Sequence, residues 1–341
     1  MKKMKGDDGV LEFFARGRWR TRHGIALLIV PLVLLLSLRV FCVVARAEGD
    51  LGDPFDRIRE GFYSFSPSIE LSDLKVSVNE LTRIVTYLIK DDPYLFYVDD
   101  RLSYSYSPEG YVLRLKPDYT MTKSEVEIAC RELEVWIQEM ADGVCGDDAE
   151  VALRLHDMIL HSVAYDEGLE NDNIYKLYKS GTGTCQAYTM LYLALLREVG
   201  IDSHFIASDS IAHIWNLVKI DGEWYHADLT WDDGDMIGRR HFLCSDQTAI
   251  ERGHRDWYSS VDVVCDSERF RDADFDVMLW REPKGGDLDH SGDVEFSDLL
   301  LLRAHLDFGW EVCGKCADAD GNVQVDWDDA ALLRRKFLLD D

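Results

Sequence analysis

The stretch Gly-Thr-Gly-Thr-Cys-Gln-Ala-Tyr at residues 181–188 leads into a helix that decides the fold of the central part of this chain. After Thr184, a residue type that caps helix N-termini, apolar residues recur at steps of three and four until Gly200, which predicts a helix. Cys185 lies in the first turn of that helix, where the positive end of the helix dipole favours a thiolate. Because most lone cysteines are buried and inert, this placement alone does not establish a nucleophile.

Two strands are predicted after this helix, both rich in β-branched and aromatic residues: residues 211–220 and 223–231. Asp221 and Gly222 between them predict a two-residue hairpin turn. In the register that this turn implies, His213 and Asp228 are diagonal neighbours on one face, about 7–8 Å apart at Cα. Asp228 can hold one imidazole nitrogen and leave the other for Cys185, which is the arrangement of a nucleophile, a base and an orienting carboxylate.

The remaining candidate side chains receive structural interpretations, because only the Cys-His-Asp arrangement makes a specific geometric demand. The histidines predicted to be structural are His156, His161, His204 and His226. Tyr165 is a weaker candidate for a group near a developing oxyanion. Trp215 and Trp231 are predicted to form core or cleft wall.

Three spaced blocks carry a resemblance to the transglutaminase-like superfamily of cysteine enzymes: residues 183–188, 212–216 and 224–232, with residues 241–246 as a further similar segment. The resemblance implies a papain-like α+β fold, in which the cysteine helix packs on an antiparallel sheet. Position by position, it implies that Cys185 is the nucleophile, His213 the general acid/base and Asp228 the orienting residue. It implies no cofactor for catalysis.

The C-terminal part contains an internal repeat of an acidic loop followed by an apolar helix. Residues 287–298 have oxygen-bearing side chains at loop positions 1, 3, 5, 9 and 12, a spacing typical of Ca²⁺ loops. The pattern returns at residues 318–329. Two such loops in register are much harder to reach by chance than one solvated acidic loop.

This duplicated unit, residues 286–341, resembles a dockerin, the small all-α module that docks enzymes onto cohesin modules of cellulosome-type scaffolds. The resemblance implies two structural Ca²⁺ sites, whose ligands would be Asp287, Asp289, Ser291, Asp293, Glu295 and Asp298 in the first loop and Asp318, Asp320, Asn322, Gln324, Asp326 and Asp329 in the second. Val323 replaces the glycine expected at position 6, so the second site is predicted to be the weaker. Positions 10 and 11 also differ between the repeats, which argues against two equivalent docking faces.

The N-terminus predicts export. A basic leader precedes an apolar run at residues 25–38, and Ala45-Arg46-Ala47 fits a signal-peptidase site. An N-terminal membrane anchor is the alternative, although the run is short for the ~20 residues that a span needs.

Composition agrees with a secreted globular protein. The net charge is −27, and because the first 47 residues hold nine basic and three acidic side chains, residues 48–341 carry about −33. Such a charge disfavours nucleic acid and anionic membranes as partners.

Seven cysteines lie outside the leader, an odd number that fits one reactive thiol plus bridges. Chain proximity suggests three pairs: 130 with 145, 244 with 265, and 313 with 316.

We therefore predict four segments: a signal peptide at 1–47, an α+β lead-in subdomain at 48–149, a catalytic core at 150–282 and a dockerin at 286–341. The predicted function is acyl transfer through a thioester on Cys185, with peptide or amide hydrolysis favoured. A protein-crosslinking transglutaminase remains open, as does a non-catalytic protein that binds peptide or glycan.

Overall fold

The computed structural model describes residues 9–11, 52–99, 101–234, 238–273, 275, 286, 288, 294, 296–308, 314–319 and 324–339. Most of the predicted signal peptide, including the apolar run at 25–38, lies outside these residues. Within the described ranges, no helix combines the length and the hydropathy that crossing a membrane requires.

The N-terminal part of the fold is a small α+β unit. Its elements are β1 (Gly9–Leu11), α1 (Gly52–Tyr63), β2 (Ile69–Glu70), α2 (Val78–Asp91), β3 (Leu102–Tyr106) and β4 (Val112–Lys116). The strands form an antiparallel sheet in the order β1-β3-β4-β2. A capping box between Ser77 and Glu80 starts α2, and the buried residues Leu81, Ile84 and Leu88 face the core of this unit.

The central part packs helices against a second sheet. Its elements are α3 (Lys123–Ala141), α4 (Asp148–Ser162), β5 (Ala164–Tyr165), α5 (Ile174–Ser180), β6 (Thr182–Gly183), α6 (Cys185–Glu198), β7 (Ser203–Ser208), β8 (His213–Ile220), β9 (Glu223–Ala227), α7 (Leu229–Asp232), α8 (Asp246–Glu251) and β10 (Tyr258–Ser259). The main sheet has the antiparallel order β10-β7-β8-β9. Helix α6 is buried along most of its length, and Leu191 and Leu195 are fully inaccessible. The expected arrangement of a cysteine helix on an antiparallel sheet is therefore present.

The hairpin between β8 and β9 has the predicted register. Asn216 pairs with Ala227 and Ile220 pairs with Glu223, which leaves Asp221 and Gly222 as the two-residue turn. Both turn residues have positive φ, 52° and 87°, as a type I′ turn requires.

The predicted second strand is too long, however. Strand β9 ends at Ala227, and Asp228 is instead the N-cap of the short helix α7, with its Oδ1 accepting a hydrogen bond from the Trp231 amide at 3.2 Å. A carboxylate that caps a helix satisfies an amide which a strand would have directed to a neighbour. The prediction of strand through residue 231 is therefore wrong, although Asp228 still lies beside His213.

The start of α6 also differs in one detail. Thr184 is the N-cap residue with extended backbone angles, but its side chain makes no capping hydrogen bond, so the predicted hydroxyl cap is wrong. The amide of Thr184 is held at 2.9 Å by the Asn171 carbonyl, so the backbone fixes the entry to the helix.

The C-terminal part contains α9 (Phe296–Phe308), α10 (Gly314–Ala317) and α11 (Trp327–Leu339) in its described residues. A separate apolar cluster joins α9 and α11, with Leu302 and Leu333 among its buried members. The two loop-helix repeats are therefore packed against each other.

Two of the suggested disulfides are absent. Cys130, Cys244 and Cys265 are free thiols, which excludes the pairs 130–145 and 244–265. Cys130 packs into the N-terminal unit instead of pairing with Cys145. Cys313 lies outside the described residues.

Truncation of a buried side chain on a core helix should destabilise the protein. Ile159 on α4 is fully buried, so Ile159→Ala should lower the free energy of unfolding by about 2–5 kcal/mol through lost burial and a cavity. Ile128 on α3 is 52% exposed, so Ile128→Ala is the matched control and should change that free energy by less than about 0.5 kcal/mol. Urea unfolding measures both values, and equal losses would contradict the packing described.

Candidate active site

The nucleophile candidate is positioned by a tight backbone passage. Gly183 precedes the helix at a point where a Cβ atom would come within 2.5 Å of Leu177 and 2.8 Å of Ala187. Only glycine fits there without moving the helix start. Parallel pairing of β5 with β6 fixes the same segment from the other side. Cys185 then opens α6 and is partly exposed.

Polar bonds attach the cysteine helix to the strand that carries the histidine. The side-chain amide of Asn216 on β8 donates to the Thr189 carbonyl at 3.0 Å. The Thr189 hydroxyl lies 2.8 Å from the Cys185 carbonyl and 3.2 Å from the Ile214 carbonyl. Because these groups are buried, breaking the bonds would leave unsatisfied polar atoms, and the relative placement of the two elements is well determined.

His213 and Asp228 form the predicted contact. His213 Nε2 lies 2.8 Å from Asp228 Oδ2, so Nδ1 is the ring nitrogen left for Cys185. Burial alone would lower the pKa of His213, but hydrogen bonds to Asp228 and Cys185 outweigh it and raise the pKa to about 9. The structure thus brings all three predicted residues together: Cys185, His213 and Asp228.

The imidazole of His213 is enclosed by two indole rings. Trp215 stacks at 5.6 Å between ring centroids and Trp231 at 5.0 Å, with interplanar angles of 17° and 11°. Trp215 is buried whereas Trp231 is 37% exposed. Trp215 is therefore part of the core and Trp231 part of the cleft wall, as predicted. The stacking holds the plane of the ring, and the side chains of His213 and Asp228 are only 7% and 1% exposed.

Asp228 is a fully buried carboxylate with several donors. Burial would raise its pKa, but the hydrogen bonds from His213 and His254 hold that pKa well below its usual range. His254 Nε2 is 2.8 Å from the same Oδ2 atom that His213 contacts. Sequence reasoning missed His254, because it follows α8 in a polar segment without any motif.

Lys90 is a second residue that sequence reasoning missed. It extends from α2 and donates to the Tyr258 hydroxyl at 2.9 Å. Burial lowers the pKa of Lys90, and the negative charges of Asp209 and Cys185 partly offset that effect. The N-terminal unit therefore places a cation within electrostatic range of the thiol, which no local pattern around Lys90 indicates.

Tyr165 lies near the thiol as its position on β5 suggests. Burial raises its pKa, and the charge of Cys185 adds to the shift. The other histidines have partners of their own: His204 contacts Asp91, His226 contacts Asp246, and His156 and His161 lie on α4.

Among the described residues, two groups of side chains have potential ligand atoms within 4.8 Å of one another: His213, Asp228 and His254, and His226, Asp246 and Cys265. In the second group, Trp215 Nε1 donates to His226 Nδ1 at 3.0 Å. Because an indole can only donate, Nδ1 is unprotonated and Nε2 carries the hydrogen that Asp246 accepts. The second group is thus satisfied by hydrogen bonds, with no lone pair on His226 Nε2 for a metal.

Five of the twelve predicted Ca²⁺ ligands are described, namely Asp298, Asp318, Gln324, Asp326 and Asp329; the other seven, Asp287, Asp289, Ser291, Asp293, Glu295, Asp320 and Asn322, lie outside the described residues. Asp298 Oδ1 accepts from the Leu288 amide at 2.6 Å, and Asp329 Oδ1 accepts from the Ala319 amide at 2.8 Å. Each bond links loop position 2 to loop position 12, so the two repeats have this hydrogen bond in common.

The profile of the Transglutaminase-like superfamily matches residues 138–229, the segment that contains Cys185, His213 and Asp228. This segment is therefore similar to a transglutaminase-like domain. A comparison with curated proteins finds no matching sequence.

Two solved structures are similar to parts of the chain. One is a crystal structure of a TGase, at 12% identity and a TM-score of 0.29, covering 41% of this chain and 46% of that one. The chain thus spans less than half of that TGase. The other is a candidate cysteine protease from Cytophaga hutchinsonii, at 14% identity and a TM-score of 0.27, covering 47% of this chain and 72% of that one.

The elevated pKa of His213 depends on the charge of Asp228. A raised pKa means that the imidazolium is retained until the pH rises through about 9. Asp228→Asn removes the anion, so the midpoint of His213 should move downward, by about one unit or more.

NMR titration of the imidazole carbon-bound protons measures this midpoint. Asp246→Asn is the matched control, because Asp246 contacts His226 instead of His213. A His213 midpoint that is the same in the wild type and Asp228→Asn would contradict the described electrostatics.

Proposed function

We propose that the protein is a transglutaminase-like cysteine enzyme that transfers an acyl group through a thioester on Cys185, with water as the favoured acceptor. The observation that carries the proposal is the hydrogen-bonded series Cys185, His213 and Asp228, in which Cys185 begins a buried helix. A cysteine, a base and an orienting carboxylate in this order are the groups that nucleophilic acyl transfer needs.

The first half of the reaction forms the acyl-enzyme. The Cys185 thiolate attacks the carbonyl carbon of an amide, and the carbonyl electrons move onto oxygen. The backbone N–H groups of the first turn of α6 are suited to stabilise that oxyanion, because they have no acceptor within the helix and lie at the positive end of its dipole. The His213 imidazolium then protonates the leaving amine as the C–N bond breaks, which leaves a thioester and a neutral imidazole.

The second half regenerates the enzyme. Neutral His213 removes a proton from water as the oxygen attacks the thioester carbonyl. The C–S bond then breaks and Cys185 leaves as a thiolate beside the His213 imidazolium. If a primary amine attacks instead of water, the same steps give a new amide, which is the crosslinking alternative.

The experiment that tests the proposed activity is substrate profiling of the full chain. Wild type should cleave members of a peptide library, and Cys185→Ala should lower the rate by about 10³-fold or more, since the nucleophile is lost. Cys130→Ala is the matched control, because Cys130 is another free thiol away from the site. Equal rates for wild type and Cys185→Ala would sink the proposal.

Parallel reactions with a primary amine separate the two acceptors. Free carboxylate products that persist at high amine concentration support hydrolysis. Amine adducts that replace the carboxylate product support crosslinking. A wild type without reaction in either assay would favour a binding protein.

We propose that the C-terminal unit is a dockerin that attaches this secreted enzyme to a cohesin. The described residues fit Ca²⁺ loops, because oxygen donors recur at equivalent positions and the buried Asp298 and Asp329 close both loops. Bound Ca²⁺ would supply the positive charge that the acidic loops need to fold. Exposed aromatic residues at loop position 10, Phe296 at 61% and Trp327 at 53%, offer apolar contacts for the partner.

Cohesin binding should therefore require Ca²⁺. Capture of the full chain by a panel of immobilised cohesins should be lost in EDTA and restored by added Ca²⁺. Phe296→Ala with Trp327→Ala should weaken capture by about tenfold or more while the Ca²⁺ stoichiometry from calorimetry stays the same. Capture that is indifferent to EDTA would contradict the Ca²⁺ loops.

A further inference from the structure

His254 lies at the centre of the candidate active site, but it has no role in the reaction steps proposed above. Its side chain is 2% exposed and lies between Trp215, at 4.5 Å between ring centroids, and Trp231, at 4.2 Å. Its Nε2 atom is 2.8 Å from Asp228 Oδ2, and His213 Nε2 is also 2.8 Å from that oxygen. One carboxylate oxygen of Asp228 therefore accepts hydrogen bonds from two imidazole rings.

The chemistry of an ionised carboxylate determines the protons in this cluster. Such a carboxylate only accepts hydrogen bonds, so His213 and His254 must both carry hydrogen on Nε2. The Trp231 amide donates to the other oxygen of Asp228 at 3.2 Å. These donors account for both oxygens of a group that has no access to bulk water.

The second nitrogen of His254 distinguishes it from His213. Its Nδ1 is buried and has no hydrogen-bond partner among the described residues. A second proton on this ring would create a buried N–H without an acceptor, which is costly. The geometry therefore favours a neutral His254 that donates only to Asp228, while His213 is free to exchange a proton with Cys185.

We propose that His254 is a positioning residue that competes with His213 for Asp228, and so limits how strongly His213 holds its proton. The inference rests on the proposed function of the Cys185-His213 pair. Donation from His254 spreads the charge of Asp228 over two hydrogen bonds, which makes the carboxylate less basic toward His213. His213 can then release its proton to the leaving amine more readily than it could beside an Asp228 that it alone contacts.

The other titratable groups near this cluster have their own partners. Those that face His254 or Asp228 are His213, His226, His241 and Cys244. His241 Nδ1 contacts Asp232 at 3.1 Å, and His226 Nε2 contacts Asp246 at 2.8 Å. Cys244 interacts with Arg252. Among the described side chains, only His213 and His254 form hydrogen bonds with Asp228.

The test is the pH dependence of Cys185 alkylation by iodoacetate, followed at that residue by peptide mass spectrometry. Iodoacetate is an anion, so its reaction with the thiolate is accelerated by the His213 imidazolium and slows as that cation loses its proton. His254→Phe keeps an aromatic ring between the tryptophans but removes the donor. We expect the descending limb of the profile to move to higher pH, by about half a unit or more.

Two further variants separate donation from packing. His254→Gln can still donate to Asp228 and should return the descending limb toward the wild-type position. His226→Phe removes another buried histidine of the same aromatic cluster that does not contact Asp228, and it should leave the limb in place. A limb in His254→Phe that coincides with wild type, or that moves equally in His226→Phe, would overturn the proposal.

An NMR measurement on the wild type removes any dependence on the folding of a variant. Long-range ¹H–¹⁵N spectra of the imidazole rings should show His254 as the neutral Nε2–H tautomer on both sides of the His213 transition. A cationic His254, or an Nδ1–H tautomer, would overturn the proposal.

This readout also separates the proposal from the proposed function. If His254 shows the expected tautomer and Cys185 does not react with any substrate, the positioning role stands and the acyl-transfer assignment fails.

Discussion

The buried carboxylate of Asp228 is the constraint on which the rest of the site depends. Its negative charge is removed from water, so it is stable only while N–H groups surround it. His213, His254 and the Trp231 amide meet this demand. The same bonds fix the ring that faces Cys185, cap α7 and bring residues 213 to 254 into one packed unit. The Asp228 carboxylate thus both stabilises the packing of these elements and orients the His213 ring toward Cys185.

The fold around Asp228 is arranged to keep its donors in place. Helix α6 is buried in the main core and is bonded to β8 through Thr189 and Asn216, so the thiol and the imidazole cannot drift apart independently. Two tryptophans cover the His213 ring and make its surroundings less polar. Lys90 of the N-terminal unit contacts Tyr258, which packs against the same apolar cluster as Cys185.

Much of this arrangement was predictable from local signals. Helical periodicity after Thr184 located α6, and Asp221 with Gly222 set the hairpin register that carries His213 toward Asp228. The end of β9 was not predictable in this way, since an aspartate that caps a helix and an aspartate that continues a strand look alike in sequence. His254 and Lys90 were missed because their roles arise from tertiary contacts, and the disulfide suggestions failed for the same reason.

The proposed acyl transfer makes Cys185 the carrier of the acyl group during turnover. This role is tested by the intact mass of enzyme quenched in acid while it is processing a peptide ester or amide substrate, followed by peptide mapping. We expect a hydroxylamine-sensitive acyl adduct on Cys185 and on no other residue. Turnover without any adduct, or with the acyl group on a different side chain, would contradict it.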